Sequence, residues 1–307
     1  MEEAEWLSTT DVAAMLAWVN DFAKSSNPRQ ERVSDRKLRL AACACVRQFW
    51  ERLPDQRTRA AVDAAEQFAD DQITAETMGT CWEAAWAVVR ANPDRRLSLE
   101  ELFAADTAYS TIHHGAPPGL TYYLNERHID GVGTDRAQAH RPTFASLLRC
   151  IVGNPFRPVT LPTKACGNCD GFGHGHPHRE LKRGSQIWDD WECPDCAGNG
   201  TLLDPPRLTP TVRMIAQQIY ADRSFDLLPV LRDALIDGGC EDEAILAHLR
   251  EPCPQCRDAD FSTGDYGGPI GNRKIARHLN AKCVCKGTRL APHARGCWCL
   301  DLLLGKE

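Results

Sequence analysis

The sequence predicts an all-α fold in which a multi-helix scaffold carries two small zinc-binding insertions of hairpin or loop type. One observation behind this prediction is an apolar stripe with the i, i+3, i+4, i+7 spacing of a helix, which recurs along most of the chain. The other is a set of paired cysteines in the second half of the chain, arranged as two groups of four. The groups are Cys166, Cys169, Cys193 and Cys196, then Cys253, Cys256, Cys283 and Cys285.

Four helices are predicted in the first part of the chain. Their apolar stripes cover about residues 12–22, 38–49, 62–69 and 78–89. Ser34 is the expected N-cap of the second helix, because its hydroxyl can accept from an amide of the first turn.

The middle of the chain is predicted to alternate between helix and loop. Ser98-Leu-Glu-Glu101 is a capping-box pattern that opens a fifth helix. Residues 113–138 contain glycines and prolines without a helical period and are predicted to form a loop. A sixth helix follows over about 144–151 and ends at Gly153.

Helical patterns return between the two cysteine groups. Thr209 is expected to cap a helix that has Pro210 at its first position. A further helix covers about 227–235 and stops at Gly238-Gly239, and a short one follows over 241–250. The predicted organisation is an N-terminal helical domain 1–162, a first zinc insertion 163–204, a helical continuation 205–252, a second zinc insertion 253–291 and a C-terminal segment 292–307.

Composition limits the class of protein. At 307 residues, with 43% hydrophobic and 25% charged residues, the chain resembles an ordinary globular protein that can bury a sizeable core. The net charge of −6 argues against a general nucleic-acid coat protein, and no apolar run approaches the length of a membrane span. The acidic N-terminus differs from a secretory signal. Fifteen cysteines, many set in close pairs, then favour metal binding in a reducing cytoplasm over a disulfide framework.

Each cysteine group has the chemistry of a structural zinc site. A Cys-x-x-Cys turn directs two sulfurs at one ion, and a second turn completes the tetrahedron. Short hairpins are expected around these turns. Neither segment has enough aliphatic residues for a core of its own, so the metal has to replace one.

The second group is less regular and leaves its ligand set open. His278 is a candidate substitute ligand, and Cys297 or Cys299 can also be considered for that site. The segment has seven Lys/Arg against three Asp, and residues 273–289 therefore offer a basic face that nucleic acid could use. The same surplus is common in solvated loops.

The remaining cysteines are interpreted as buried thiols rather than ligands. Cys43 and Cys45 lie two apart in a predicted helix, so they point to different faces. The others lie on or beside apolar stripes: Cys81, Cys150, Cys240 and Cys297. A deaminase-like reading of His178-Arg-Glu180 with Cys193 and Cys196 ranks low, because Cys166 and Cys169 would fill the open position that catalysis needs.

The first cysteine segment carries a duplicated glycine pattern, Cys166-Gly-Asn-Cys169-Asp-Gly-Phe-Gly173 and Cys193-Pro-Asp-Cys196-Ala-Gly-Asn-Gly200. This pattern resembles the CxxCxGxG repeats of the DnaJ (Hsp40) chaperone zinc domain, with two repeats where that family has four. The chain lacks the J-domain His-Pro-Asp signature. The resemblance implies a zinc clamp, and a chaperone role is the weaker implication.

The helical parts resemble a large set of paralogous proteins from planctomycete bacteria. The resemblance rests on motifs outside the cysteine segments: Glu3-Ala-Glu-Trp-Leu7, Ser34-Asp-Arg-Lys-Leu-Arg-Leu40, Gly153-Asn-Pro-Phe-Arg-Pro-Val159, Leu208-Thr-Pro-Thr-Val212, Phe225-Asp-Leu-Leu-Pro229, Asp233-Ala-Leu235, His293-Ala-Arg-Gly-Cys-Trp298 and Asp301-Leu-Leu-Leu-Gly-Lys-Glu307. It implies that both cysteine segments are insertions at exposed joints of the scaffold. It transfers no catalytic residue.

The sequence therefore favours a cytoplasmic zinc-binding interaction or scaffold protein with two structural Zn²⁺ ions and a protein partner. The alternative is a DnaJ-like chaperone or nucleic-acid-binding zinc module. A zinc-dependent hydrolase or deaminase ranks last, since the sequence shows no P-loop, nucleophile elbow, H-E-x-x-H or dinucleotide fingerprint.

Overall fold

The computed structural model describes residues 1–24, 33–91, 134–159, 163–167, 169, 201–203, 208–251 and 290–306. These residues are mostly helical, in agreement with the predicted all-α scaffold. Five helices precede residue 92 and are numbered in chain order: α1 Glu3–Ser8, α2 Val12–Lys24, α3 Asp35–Arg47, α4 Gln56–Ala69 and α5 Ala75–Arg90. A short 3-10 helix, Trp50–Arg52, separates α3 from α4.

Five more helices lie in the described parts of the second half: α6 Thr134–Val152, α7 Pro210–Asp222, α8 Leu228–Asp237, α9 Glu243–His248 and α10 Trp298–Leu304. A second 3-10 helix, Phe225–Leu227, leads into α8. Two short strands, β1 Thr163–Ala165 and β2 Thr201–Leu203, pair antiparallel with Thr163 opposite Leu203.

The predicted caps are confirmed. Ser34 accepts from the Lys37 amide at the start of α3, and Thr209 accepts from the Val212 amide at the start of α7. These bonds satisfy amides that have no partner inside the helix. Gly153 ends α6 with a positive φ of 78°, a conformation that glycine adopts without strain.

One loop prediction is wrong in part. Residues 134–138 were predicted to belong to the loop over 113–138, but α6 already begins at Thr134. The residues of this stretch are compatible with a helix, but they show no apolar period from which a helix could be predicted. The rest of that loop and the capping box at 98–101 lie outside the described residues.

Within the described residues, the core consists of two hydrophobic clusters. The first is built by α1 to α6 around fully buried side chains such as Met15, Val46 and Leu148. The second is built by α7 to α10, and α6 contributes Cys150 to it. Helix α6 therefore belongs to both clusters and joins the N-terminal helices to the C-terminal ones.

The strand pair lies at the two ends of the first cysteine segment. β1 immediately precedes Cys166, and β2 follows the second Cys-x-x-Cys turn by a few residues. A short hairpin pairing of this kind was expected around the cysteine turns. It brings residues 163–165 and 201–203 side by side, so the segment between them leaves and rejoins the scaffold at one place.

A buried network of ion pairs also crosses the interior. Arg36 on α3 donates to Asp70 after α4, to the Tyr220 hydroxyl on α7 and to Asp301 on α10, at 2.7–3.1 Å. Burial alone would lower the pKa of Arg36, but the hydrogen bonds with Asp301 and Asp70 outweigh it and raise that pKa.

Among the described residues, no helix combines the length and apolarity needed to cross a membrane.

Candidate metal centre

Four side chains with metal-ligating atoms meet between the C-terminal end of α6 and the start of α10. Cys150 lies in the last turn of α6, His248 is the final residue of α9, and Cys297 precedes the first residue of α10. His293 lies in the chain just before α10. Their ligating atoms all lie within 4.8 Å of one another. The structure thus forms a Cys2His2 cluster that can hold a metal ion.

Helix packing sets the position of Cys150 and Cys297. Gly153 ends α6 against Trp298 of α10, and a Cβ built on Gly153 would come within 3.2 Å of the indole Cγ. The indole of Trp6 donates to the Gly153 carbonyl at 3.1 Å. The ends of α6 and α10 are therefore held in close contact, and the two sulfurs with them.

Aromatic and capping contacts position the two histidines. The His248 ring lies 4.9 Å from both the His293 and the Trp298 ring centroids. Asp242 caps α9 by accepting from the amides of Ala244 and Ile245, which fixes the start of the short helix that carries His248. The His293 ring also stacks on Phe225 with a centroid distance of 6.4 Å.

The distances within the cluster suit a single small ion. His248 Nε2 lies 3.2 Å from Cys297 Sγ, and His293 Nδ1 lies 3.4 Å from Cys150 Sγ and 4.0 Å from Cys297 Sγ. A tetrahedral zinc ion with bonds of about 2.0–2.3 Å places its ligand atoms about 3.3–3.8 Å apart. The two shortest distances already lie close to that range, while any pair as far apart as the 4.8 Å limit of the cluster would have to close by about 1 Å.

Neighbouring groups support the ligands as they do in known metal sites. The Glu251 carboxylate lies 3.5 Å from His248 Nδ1, the ring nitrogen that faces away from the sulfurs. Such a carboxylate fixes the orientation and tautomer of a ligating histidine. The backbone of Ala294 forms a hydrogen bond with the Cys150 sulfur. His293 Nε2, by contrast, is buried without a hydrogen-bond partner.

The electrostatics of the cluster favour separated charges on His248 and Cys297. Burial alone would lower the pKa of His248, but the Cys297 sulfur and the Glu251 carboxylate outweigh it and raise the pKa to about 9. Burial alone would raise the pKa of Cys297, but a hydrogen bond from Cys150 and the two nearby histidines hold it well below its ordinary value. Burial and the neighbouring Cys297 raise the pKa of Cys150. The two histidines and Cys150 thus favour the thiolate form of Cys297, which is the form that binds a metal ion.

The predicted ligands fall mostly outside the part of the chain that the structure describes. Cys166 and Cys169 are both buried at the end of β1. The other six predicted ligands lie outside the described residues, as does the alternative ligand His278: Cys193, Cys196, Cys253, Cys256, Cys283 and Cys285. The two predicted four-cysteine sites therefore stay predictions. Cys299 is buried on α10 and is not one of the four clustered residues.

Sequence reasoning identified the burial of Cys150 and Cys297 but missed their meeting with two histidines. Cys43, Cys45 and Cys240 are buried as predicted, whereas Cys81 is only partly buried. The one local signal was His293-Ala-Arg-Gly-Cys297, which places a histidine and a cysteine four residues apart before a helix. His248 and Cys150 had no partner in the sequence nearby, so only the fold could reveal them.

The arrangement is that of a closed site. Two sulfurs and two imidazole nitrogens provide four protein ligands, which is the full number for a tetrahedral structural zinc ion. A catalytic zinc keeps a position for water or substrate, which a complete set of four ligands does not leave.

Comparisons of the chain with protein-family models, with curated proteins and with solved structures return no match.

Proposed function

We propose that this protein is a zinc-binding scaffold protein whose helical body holds a structural Zn²⁺ ion between Cys150, His248, His293 and Cys297. The observation that carries the proposal is the buried Cys2His2 cluster with its ligating atoms within 4.8 Å. Two thiolates with two imidazoles in a tetrahedral arrangement are a donor set typical of zinc.

Zinc is favoured over other metals by the donor types. Oxygen ligands suit Mg²⁺ and Ca²⁺, and the four clustered ligands include none. A Rieske-type iron–sulfur cluster also uses two cysteines and two histidines, but it binds them to two different irons. The four atoms here all lie within 4.8 Å of one another, a spacing that fits one ion. A redox-inert ion that prefers mixed nitrogen and sulfur ligands agrees best with the site.

The proposed role of this ion is to join parts of the scaffold. Cys150 is contributed by α6, which belongs to both hydrophobic clusters, while Cys297 and His248 belong to the C-terminal helices. An ion bound to all of them would link the helices across more than a hundred residues of sequence. Because the body has its own core, we expect the ion to add stability without being required for every helix.

The cysteine segments are the proposed interaction elements of the scaffold. In this proposal Cys166, Cys169, Cys193 and Cys196 bind one further zinc, and Cys253, Cys256, Cys283 and Cys285 bind another. Both ions would stiffen segments that contact a protein partner. The antiparallel pairing of β1 with β2 supports a common exit and return point for the first segment. The proposed total is three zinc ions, all structural.

Metal analysis of single variants tests the central site. We expect Cys150→Ala and Cys297→Ala each to lower the zinc content of the purified full-length protein by one equivalent. Cys299→Ala is the matched control, because it removes a buried cysteine two residues from Cys297 that is not one of the four clustered residues. Unchanged zinc content in the two ligand variants would contradict the proposal.

Cobalt substitution gives a second measurement that does not depend on the total metal content. Co²⁺ bound tetrahedrally by two sulfurs and two nitrogens absorbs visible light differently from Co²⁺ bound by four sulfurs. We expect a two-sulfur component in the spectrum of the wild type that disappears in His293→Ala. A spectrum without that component would show that the four residues do not bind together.

A further inference from the structure

The second cysteine segment leaves and rejoins the described body at one place. The Ala291 amide donates to the Glu251 carbonyl at 2.8 Å. Residue 251 is the last described residue before the segment and residue 290 is the first after it. The two ends of this long connection are therefore held side by side by a backbone hydrogen bond.

The ligands of the candidate metal centre lie on both sides of this junction. His248 precedes Glu251 by three residues, and His293 follows Ala291 by two. The Glu251 side chain approaches His248 Nδ1 at 3.5 Å, while its carbonyl accepts from Ala291. One residue thus contacts a metal ligand and forms the junction at the same time.

A single backbone hydrogen bond provides little net stability for such a junction, because both groups bond equally well to water when it opens. Holding the ends of a long connection together also costs chain entropy. Metal–ligand bonds to His248 and His293 would offset this loss of chain entropy, because His248 lies just before the junction and His293 lies just after it. Cys150 and Cys297 would anchor the same ion to α6 and α10.

We propose that the metal centre is a clasp for the second cysteine segment, so that metal binding controls whether its two ends stay joined on the scaffold. The inference rests on the proposed function, since it needs an ion at the Cys2His2 cluster. It adds a regulatory consequence to a structural site: residues 251 and 291 stay joined as a fixed base for the connection between them when the ion is bound. Loss of the ion releases that base, while the first hydrophobic cluster stays folded.

Hydrogen exchange of the full-length protein tests the clasp. The probe is the peptide containing the Ala291 amide, compared between the zinc-loaded wild type and His293→Gln. That variant removes one ligand of the centre and leaves all eight cysteines of the predicted sites in place. We expect Ala291 to exchange at least about tenfold faster in the variant. Cys299→Ala is the control and should keep both its zinc and its protection.

Zinc content measured on the same samples distinguishes a failure of the clasp from a failure of the proposed zinc site. If His293→Gln loses one equivalent and Ala291 loses protection, the clasp is supported. If the variant loses one equivalent and Ala291 stays protected, the clasp is wrong while the zinc site stands. If the variant loses no zinc, the proposed site is wrong and the clasp with it.

An internal reference guards against a variant that simply fails to fold. Peptides from α3, which lies in the first hydrophobic cluster, should keep their protection in every sample. If α3 also exchanges rapidly in the variant, chelator titration of the wild type decides instead. Stepwise zinc removal should then expose Ala291 before α3, and zinc added back should restore it; simultaneous loss of both would overturn the clasp.

Discussion

Gly296 connects the candidate metal centre to the core of the N-terminal helices. It lies between His293 and Cys297 and has a φ of +81°. A Cβ at this position would come within 2.8 Å of Leu40 Cδ1, and Leu40 is itself buried on α3. The chain that carries the two candidate metal ligands His293 and Cys297 therefore needs glycine at this position to pack against the core without strain.

Gly296→Ala should lower the free energy of unfolding by about 2–4 kcal/mol, because it adds backbone strain and a steric clash in a packed core. Urea denaturation measures the change. Gly79→Ala is the matched control, since Gly79 lies inside α5 with open space around it. Alanine there should stabilise the protein by about 0.5–1 kcal/mol. Equal effects at the two positions would contradict the packing argument.

In the proposed zinc site, Glu251 would act on zinc affinity through its contact with His248. Replacing a carboxylate that supports a ligating histidine weakens metal binding about 10–100-fold in known sites. We expect that range for Glu251→Ala, measured by competition with a chelating dye, and a smaller loss for Glu251→Gln, which retains an acceptor. Glu241→Ala, an exposed change in the chain just before the same helix, should leave the affinity unchanged. An affinity insensitive to Glu251 would show that it does not support the ligand.

Elements were predictable where a cap or a glycine stop marks their ends. Ser34, Thr209 and Gly153 each sit at the helix boundary that their chemistry predicts. The start of α6 was not predictable, because its first turns lack an apolar period from which a helix could be read.

The short helix α9 depends on its cap more than the longer helices do. Its six residues form little more than one turn, and helices of this length are marginal by themselves. Asp242→Ala should therefore cost about 1 kcal/mol of stability and also weaken zinc binding, because α9 positions His248. Asp242→Asn, which preserves an acceptor, should restore most of both. Loss of stability with unchanged zinc affinity would show that the ligand is held independently of the helix start.

At the scale of the molecule, Arg36 joins the two halves of the body. It bonds Asp70 beside α4 and Asp301 on α10, and both carboxylates are almost fully buried. Arg36→Met leaves two buried carboxylates without this partner, and breaking such an arrangement typically costs about 3–5 kcal/mol. The exposed pair of Arg90 with Glu83 is the control, because Arg90→Ala should cost at most about 0.5 kcal/mol. Thermal and urea unfolding of both variants measure the difference.

The sequence predicted the helical class, most helix positions and the burial of several cysteines. It could not predict the candidate metal centre, because Cys150 and His293 are 143 residues apart and meet only through tertiary packing. Apolar periodicity shows which face of a helix is buried, but it does not show against which other helix that face packs. Paired cysteines, in contrast, can be recognised from their short spacing alone. The eight cysteines of the two segments could therefore be identified in the sequence as candidate ligands.

The wide separation of Arg36 from Asp301 also affects how the protein is made. The two residues are 265 positions apart, so at ordinary translation speeds Arg36 leaves the ribosome roughly 13–50 s before Asp301 is synthesised. During that interval Arg36 can pair with Asp70 but not with Asp301, so the contacts that α10 makes with the N-terminal helices are missing. We expect ribosome-bound chains that stop before residue 297 to be sensitive to proteases. We also expect them to bind chaperones until α10 has been released from the ribosome.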